Sequence, residues 1–133
     1  APTHIDSHHH VHSHEKVLPI VLELAERYSL PLRKIALEST PYGKVSSTST
    51  FLYQFYGDHL SVDSFIEGLD DVRDHATVEM MCHPAYVDES LLKGSSYVHQ
   101  RLKELSILTD TRARDAINER NMELISYKQL MSE

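Results

Sequence analysis

The sequence predicts an α/β fold, and three observations lead there. Apolar residues recur at helical spacing in several stretches that are separated by short strand-like runs. Thr77–Cys82 reads as a buried strand, closed by His83-Pro84 because the residue before proline is pushed out of the helical region. The alternation of strand and helix calls for parallel strands with crossover helices, as in α/β barrels or open sheets. With 133 residues, 41% of them hydrophobic, the chain suits a single domain over 1–133 with a real core.

Taken in order, Thr3–His8 is expected as the first strand. A helix follows over residues 14–28, with Val17, Val21, Leu24 and Tyr28 on one stripe and Leu18, Leu22 and Ala25 beside it. Ser13 is the expected N-cap, and Pro19 must lie near the first turn to be tolerated. Leu32–Leu37 is expected as a short second strand. Residues 39–50, rich in Ser and Thr with Pro41 and Gly43, mark a long loop within the domain. Phe51–Tyr56 is aromatic, ends at Gly57 and fits either strand or loop. Ser61 then caps a helix to about Asp74, with Val62, Phe65, Ile66, Leu69 and Val72 at helical spacing. After Thr77–Cys82 a loop to Ser96 precedes helices over Tyr97–Leu108 and Asp110–Arg120, and Met122–Ser126 is a candidate last strand.

Composition excludes several classes of function. A formal net charge of −7 and a pI near 5.8 repel phosphate backbones. Arg101, Lys103, Arg112 and Arg114 are scattered among acidic neighbours, so no nucleic-acid partner is expected. No apolar run is long enough to cross a bilayer, so no membrane partner is expected. No signal peptide is read, and the opening Ala-Pro-Thr resembles a cut or processed end. The single cysteine, Cys82, rules out an internal disulfide and fits a reducing cytoplasm. Between Met80-Met81 and Pro84 it reads as a structural thiol at a buried strand end. No internal repeat, Walker loop, dinucleotide fingerprint or CxxC occurs.

The chemistry concentrates in Thr3–His14, where six of the ten histidines and one aspartate fall within twelve positions. In an extended segment His4, Asp6, His8, His10 and His12 share one face and His9 takes the other. Neutral imidazole and carboxylate are common nitrogen and oxygen donors to divalent metals, so this face suggests a metal site. A purification tag is the plain alternative, but tags rarely carry Ile5, Asp6 and Val11 in alternation and run straight into an amphipathic helix. In parallel α/β folds chemistry collects at the carboxyl ends of strands, and His8 and His83 each sit at one.

The motif Pro2-Thr3-His4-Ile5-Asp6-Ser7-His8-His9-His10-Val11-His12 closely resembles the histidine motif of the YdjC-like carbohydrate deacetylases. Gln54-Phe55-Tyr56-Gly57, Glu79-Met80-Met81-Cys82-His83-Pro84-Ala85-Tyr86-Val87-Asp88, and Ser96-Tyr97 with Arg101, Glu104-Leu105 and Leu108-Thr109 match in the same order. The resemblance implies an irregular (β/α) barrel and removal of an N-acetyl group from chitin-derived oligosaccharides such as chitobiose. It also implies a divalent metal, Mg²⁺ before Zn²⁺, with His8 as its ligand. The family's opening Asp-Asp-Phe-Gly segment and a second ligand histidine are absent from these residues. The expectation is therefore a partial barrel, the C-terminal half of a deacetylase, present as a fragment or completed by a separate chain. Association with that missing half or with another copy is expected, since a half-barrel exposes strand edges.

Hydrolysis of an acetamide needs a polarised carbonyl, a water stripped of its proton and an acid for the leaving amine. His83 is the candidate catalytic acid or substrate contact. Asp6 could orient His8 from behind, with His4 on the same side. His10 and His12 are candidates for the pocket or the surface; His9 reads as structural, and His14, His59, His75 and His99 as surface residues. Arg33 could meet a sugar hydroxyl or form a plain salt bridge. Tyr42 could belong to a sugar-binding rim, and Asp88 could contact substrate or pair with Arg101 to secure the loop after His83. Two other functions fit parts of the pattern. One is an amidohydrolase- or phosphoesterase-like barrel, which needs more ligands from later strands, and the other a non-catalytic sugar- or metal-binding module.

Overall fold

The computed structural model describes residues 1–34 and 42–130, so part of the expected strand Leu32–Leu37 and the start of the loop 39–50 lie outside the described residues. Contacts divide the chain into two compact units. The first takes Ala1–Phe51, Ala76–Glu79 and Leu124–Glu133, and the second Leu52–His75 and Met80–Glu123.

In the first unit the expected opening strand is reduced to one parallel bridge between Ile5 and Leu32. The Ile5 N–H donates to the Pro31 carbonyl at 2.8 Å and the Arg33 N–H to the Ile5 carbonyl at 3.0 Å. From His8 to Ser13 the chain runs as 3₁₀ turns, with His9 and His10 left-handed at φ 50° and 56°. That reversal ends the period-2 alternation at His8, so the expected common face with His10 and His12 does not form. Helix α1 spans Leu18–Tyr28, with Pro19 in its first turn. Ser13 is not its cap: Val17 occupies that position without a side-chain bond, and the Ser13 hydroxyl donates to the His10 carbonyl at 2.8 Å. Leu18, Ala25 and Leu32 form a buried cluster, against which Ile5, Val21, Leu22, Tyr42 and Val45 pack. Leu24 and Tyr28, placed on the apolar stripe by spacing, are exposed.

Strands β1 (Thr50–Leu52) and β2 (Val78–Met80) pair in parallel register, Thr50 N–H to Thr77 carbonyl and Met81 N–H to Leu52 carbonyl. The expected buried strand Thr77–Cys82 is thus shorter and only half-buried, and Cys82 is exposed beyond its end. Among the described residues β2 has a single strand neighbour, so its other edge has no strand to cover it.

The second unit is helical around one core. Helix α2 (Val62–Asp71) starts at Ser61 with a reciprocal capping box to Ser64, at 3.0 and 2.9 Å. Helix α3 (Glu89–Gly94) forms inside the expected loop; six residues are too few for periodicity to reveal. Helices α4 (His99–Leu108) and α5 (Thr111–Glu119) follow the expected spans closely, α5 capped by Asp110. Phe55, Leu60, Phe65, Leu69, Ile107, Ala113 and Ala116 make up the core. The short side chains of Ala113 and Ala116 let α5 lie close against α2. The expected strand Met122–Ser126 does not form, because the Met122 N–H closes the end of α5 on the Ile117 carbonyl at 3.1 Å. A short helix α6 (Tyr127–Leu130) follows it. The α/β class is observed, whereas the described strands form one pair and one bridge rather than barrel walls. No helix among the described residues is long and apolar enough to cross a membrane.

Candidate functional site

In the first unit the histidine motif is built around Arg33. The parallel bridge at Ile5 places Asp6 beside it, and Arg33 Nη2 lies 3.1 Å from Asp6 Oδ2. The same guanidinium holds Glu79 Oε1 through Nε at 2.8 Å and Nη2 at 2.7 Å. The remaining Glu79 oxygen accepts the Tyr127 hydroxyl, and the Tyr127 ring stacks parallel on His4 at 4.0 Å. Burial opposes the Arg33 charge, but the bond to Glu79 and the charges of Glu79 and Asp6 outweigh it and raise its pKa. Burial, then the bond to Glu79, push the Tyr127 phenol above its ordinary value.

His12 locks this arrangement from behind. Its Nε2 lies 3.2 Å from the Arg33 carbonyl, which can only accept, so that nitrogen carries the hydrogen. Nδ1 then accepts the Ser7 hydroxyl at 2.6 Å, while the His12 N–H donates to the same oxygen at 2.9 Å. The ring is only 2% exposed, and burial lowers its pKa. His10 is partly buried with its ring edge on Phe51 at 5.4 Å. Its pKa is lowered by burial and then by Arg33, and its Nδ1 is buried without a hydrogen-bond partner among the described residues. Holding two consecutive histidines left-handed costs roughly 1–2 kcal/mol each, strain that the bonds of Ser7, Ser13 and His12 sustain.

His8, the expected metal ligand, is exposed at the start of the 3₁₀ turns and stacks on His9 at 4.2 Å. Asp6 is held by Arg33, with His4 Nε2 at 4.0 Å on its other side. Among the described residues no three His, Cys, Asp or Glu side chains gather around a point where one ion could sit. These residues therefore do not fit a closed metal shell, although exposed His8 can supply one donor. Tyr42 packs against the Leu18–Ala25–Leu32 cluster.

The second unit builds a different arrangement around His83. One face of α4 carries Arg101 and Glu104, three residues apart and therefore neighbours on the helix. Glu104 is fully buried, and its Oε2 accepts the His83 backbone N–H. Arg101 Nη1 donates to the His83 carbonyl at 3.1 Å, so the backbone of His83 is pinned on both sides. Glu104 Oε1 lies 3.9 Å from His83 Nδ1 and accepts the Tyr97 hydroxyl at 2.6 Å. That hydroxyl oxygen in turn accepts the Gly57 N–H at 2.9 Å, at a backbone φ of 100° that only glycine adopts readily. Burial, then the bond to Glu104, push the Tyr97 phenol up to about 12. Tyr56 stacks on Tyr97 at 4.4 Å, and both rings meet His83 edge-on at 5.4 and 5.8 Å. Asp88 does not pair with Arg101; it caps α3 by accepting the Leu91 N–H at 2.8 Å.

The structure thus brings Asp6, His4, His10, His12 and Arg33 together with Glu79 and Tyr127 in one unit. In the other it surrounds His83 with Glu104, Tyr97, Tyr56 and Arg101. Glu79, Glu104, Tyr97, Tyr56 and Arg101 all lie in stretches that match the family pattern, which was the available signal for them. Tyr127 lies outside every such stretch.

Residues 1–119 match the sequence model of a family described as YdjC-like protein. A carbohydrate deacetylase of Geobacillus stearothermophilus is 48% identical over 128 residues, covering 96% of this chain and 51% of that protein. A chitooligosaccharide deacetylase of Proteus mirabilis is 42% identical over 136 residues, covering 98% of this chain and 53% of that protein. A crystal structure of an Enterococcus faecalis protein, provisionally described as a cellobiose-phosphate cleavage protein, matches with a TM-score of 0.87 and 38% identity. That match covers 97% of this chain and 53% of the other. The chain spans about half the length of the curated relatives it matches.

Proposed function

This chain belongs to the YdjC-like family, and from that premise we propose that it forms the C-terminal half of a carbohydrate N-deacetylase. Its substrates would be chitin-derived oligosaccharides such as chitobiose, in keeping with the names of its relatives. The observation that carries this reading is His83, fixed at its N–H and carbonyl by α4 with a buried carboxyl 3.9 Å from Nδ1.

Acetamide hydrolysis adds water to the carbonyl carbon, breaks the C–N bond and releases acetate and an amine. An amine leaves readily only if its nitrogen takes up a proton as the bond breaks. With Nδ1 turned toward Glu104, His83 has Nε2 to deliver that proton. His8 is proposed as the one donor this chain would give a divalent metal, Mg²⁺ or Zn²⁺, whose chemistry would be to polarise the acetyl carbonyl and acidify water, the other donors coming from outside these residues. The barrel architecture, a cytoplasmic setting and association with the complementary half or a second copy belong to the same proposal. Exposed apolar side chains such as Ile20 and Leu124 favour such an association.

Acetate release from N,N′-diacetylchitobiose by the chain assembled with its complementary half tests the reading. His83→Gln is expected to lower kcat by about 10²–10⁴-fold, the usual worth of a general acid, with substrate affinity little changed. A variant within about threefold of the native protein removes His83 from the chemistry.

A further inference from the structure

We propose that the open face of Tyr56 is a platform for a pyranose ring, positioned so that a substituent of that ring reaches His83. Three observations carry the proposal. Tyr56 is 46% exposed although one face of its ring is covered by Tyr97, so its outward face lies at the surface. The covering ring is parallel to within 3° at 4.4 Å and is held by its hydroxyl between Glu104 and Gly57. Finally, His83 stands edge-on beside the pair, 5.4 Å from the Tyr56 centroid.

Each observation has a chemical consequence. A pyranose presents one face of axial C–H groups, apolar and slightly positive, that complements the negative face of an aromatic ring. A tyrosine that must be ordered on binding spends part of that gain on lost side-chain freedom. Tyr56 is ordered beforehand by Tyr97, and Tyr97 by a buried carboxyl and a backbone N–H. Exposed tyrosines are common, but Tyr53 and Tyr86 are more exposed and have no such stacked support among the described contacts. A saccharide ring laid on Tyr56 sits one stacking distance from it and beside the edge where His83 stands. An equatorial acetamido group on that ring can then point toward the imidazole. That the occupant is an N-acetylated pyranose, rather than another flat-faced ligand, rests on the deacetylase reading.

The test is titration of the protein with N,N′-diacetylchitobiose, followed by NMR of the tyrosine ring and His83 imidazole protons. Sugar-ring protons are expected to shift upfield on one face only. Tyr56→Leu, which keeps bulk but loses the flat face, is expected to raise the dissociation constant about tenfold. Tyr56→Phe should recover most of the affinity, because the platform uses the face and not the hydroxyl. Thermal unfolding of each variant separates a lost platform from a lost fold, and Tyr56→Phe remains informative if Tyr56→Leu does not fold. Equal losses in Leu and Phe variants, an unchanged constant in Leu, or no saccharide binding by the native protein would each overturn the proposal. Acetate release, measured in parallel, keeps the two readings apart. Release with unaltered affinity in Tyr56→Leu refutes the platform alone. Tyr56-dependent binding without release, in the protein assembled with its complementary half, refutes the deacetylase reading and leaves the platform standing.

Discussion

Replacing Glu104 by glutamine is the sharpest probe of the His83 arrangement, because the change is isosteric and its cost can be worked from two hydrogen bonds. Glu104 is 0% exposed and accepts from two donors, the Tyr97 hydroxyl at 2.6 Å and the His83 backbone N–H. Glutamine offers one oxygen and one amino group, so whichever way the amide turns, one of those donors faces another donor. The Tyr97 oxygen already accepts from Gly57, and the Glu104 side chain itself is out of reach of solvent. One charge-assisted bond is lost, worth about 1.5–3 kcal/mol when its partner stays buried. For a domain of this size roughly 2 kcal/mol lowers the melting temperature by about 7 °C. Thermal and urea unfolding would measure it, with the urea slope unchanged if only native stability is altered. The exposed pair of Lys93 and Glu89 on α3 is the control, and Glu89→Gln should change nothing measurable. A Glu104→Gln protein within about 0.5 kcal/mol of the native one would refute the hydrogen-bond argument.

Other perturbations read other parts of the structure. The raised Tyr97 pKa means that the native state keeps a proton the unfolded chain gives up near pH 10. That contribution is therefore complete below about pH 10 and disappears as pH rises through about 12, and Tyr97→Phe should flatten this alkaline loss. An unflattened curve would place the loss elsewhere. His12 has the opposite sign: its lowered pKa makes its contribution complete above about 6.5 and lost as pH falls below that value. An NMR titration midpoint for His12 at or above 6.5 would contradict the burial argument. Arg33→Lys removes the fork that holds Glu79 and Asp6 together and should cost about 1–2 kcal/mol in urea unfolding. An unchanged midpoint would mean that the two carboxylates do not depend on that fork.

Much of the local structure was legible in the sequence because it rests on short-range chemistry. Ser61 announces α2 by a cap that involves only Ser64, Asp110 announces α5, and the apolar spacing of Val62, Phe65 and Leu69 needs no distant partner. The motifs that match the YdjC-like family also located most of the residues now seen around Arg33 and His83.

The sequence by itself determined the α/β class, the placement of α1, α2, α4 and α5, and the family. Tertiary structure alone decided what each polar residue does. Period-2 alternation put His10 and His12 beside His8, but left-handed His9 and His10 turned the chain, which bonds to Ser7 and the Arg33 carbonyl then secured. Thr77–Cys82 looked buried because Val78, Met80, Met81 and Cys82 are apolar, yet burial depends on how many neighbours a strand has. Glu79 finds Arg33 across 46 positions and Glu104 finds His83 across 21. Local periodicity reports only which face of an element a residue occupies. Which partner meets that face is set by chain reversals far away in sequence.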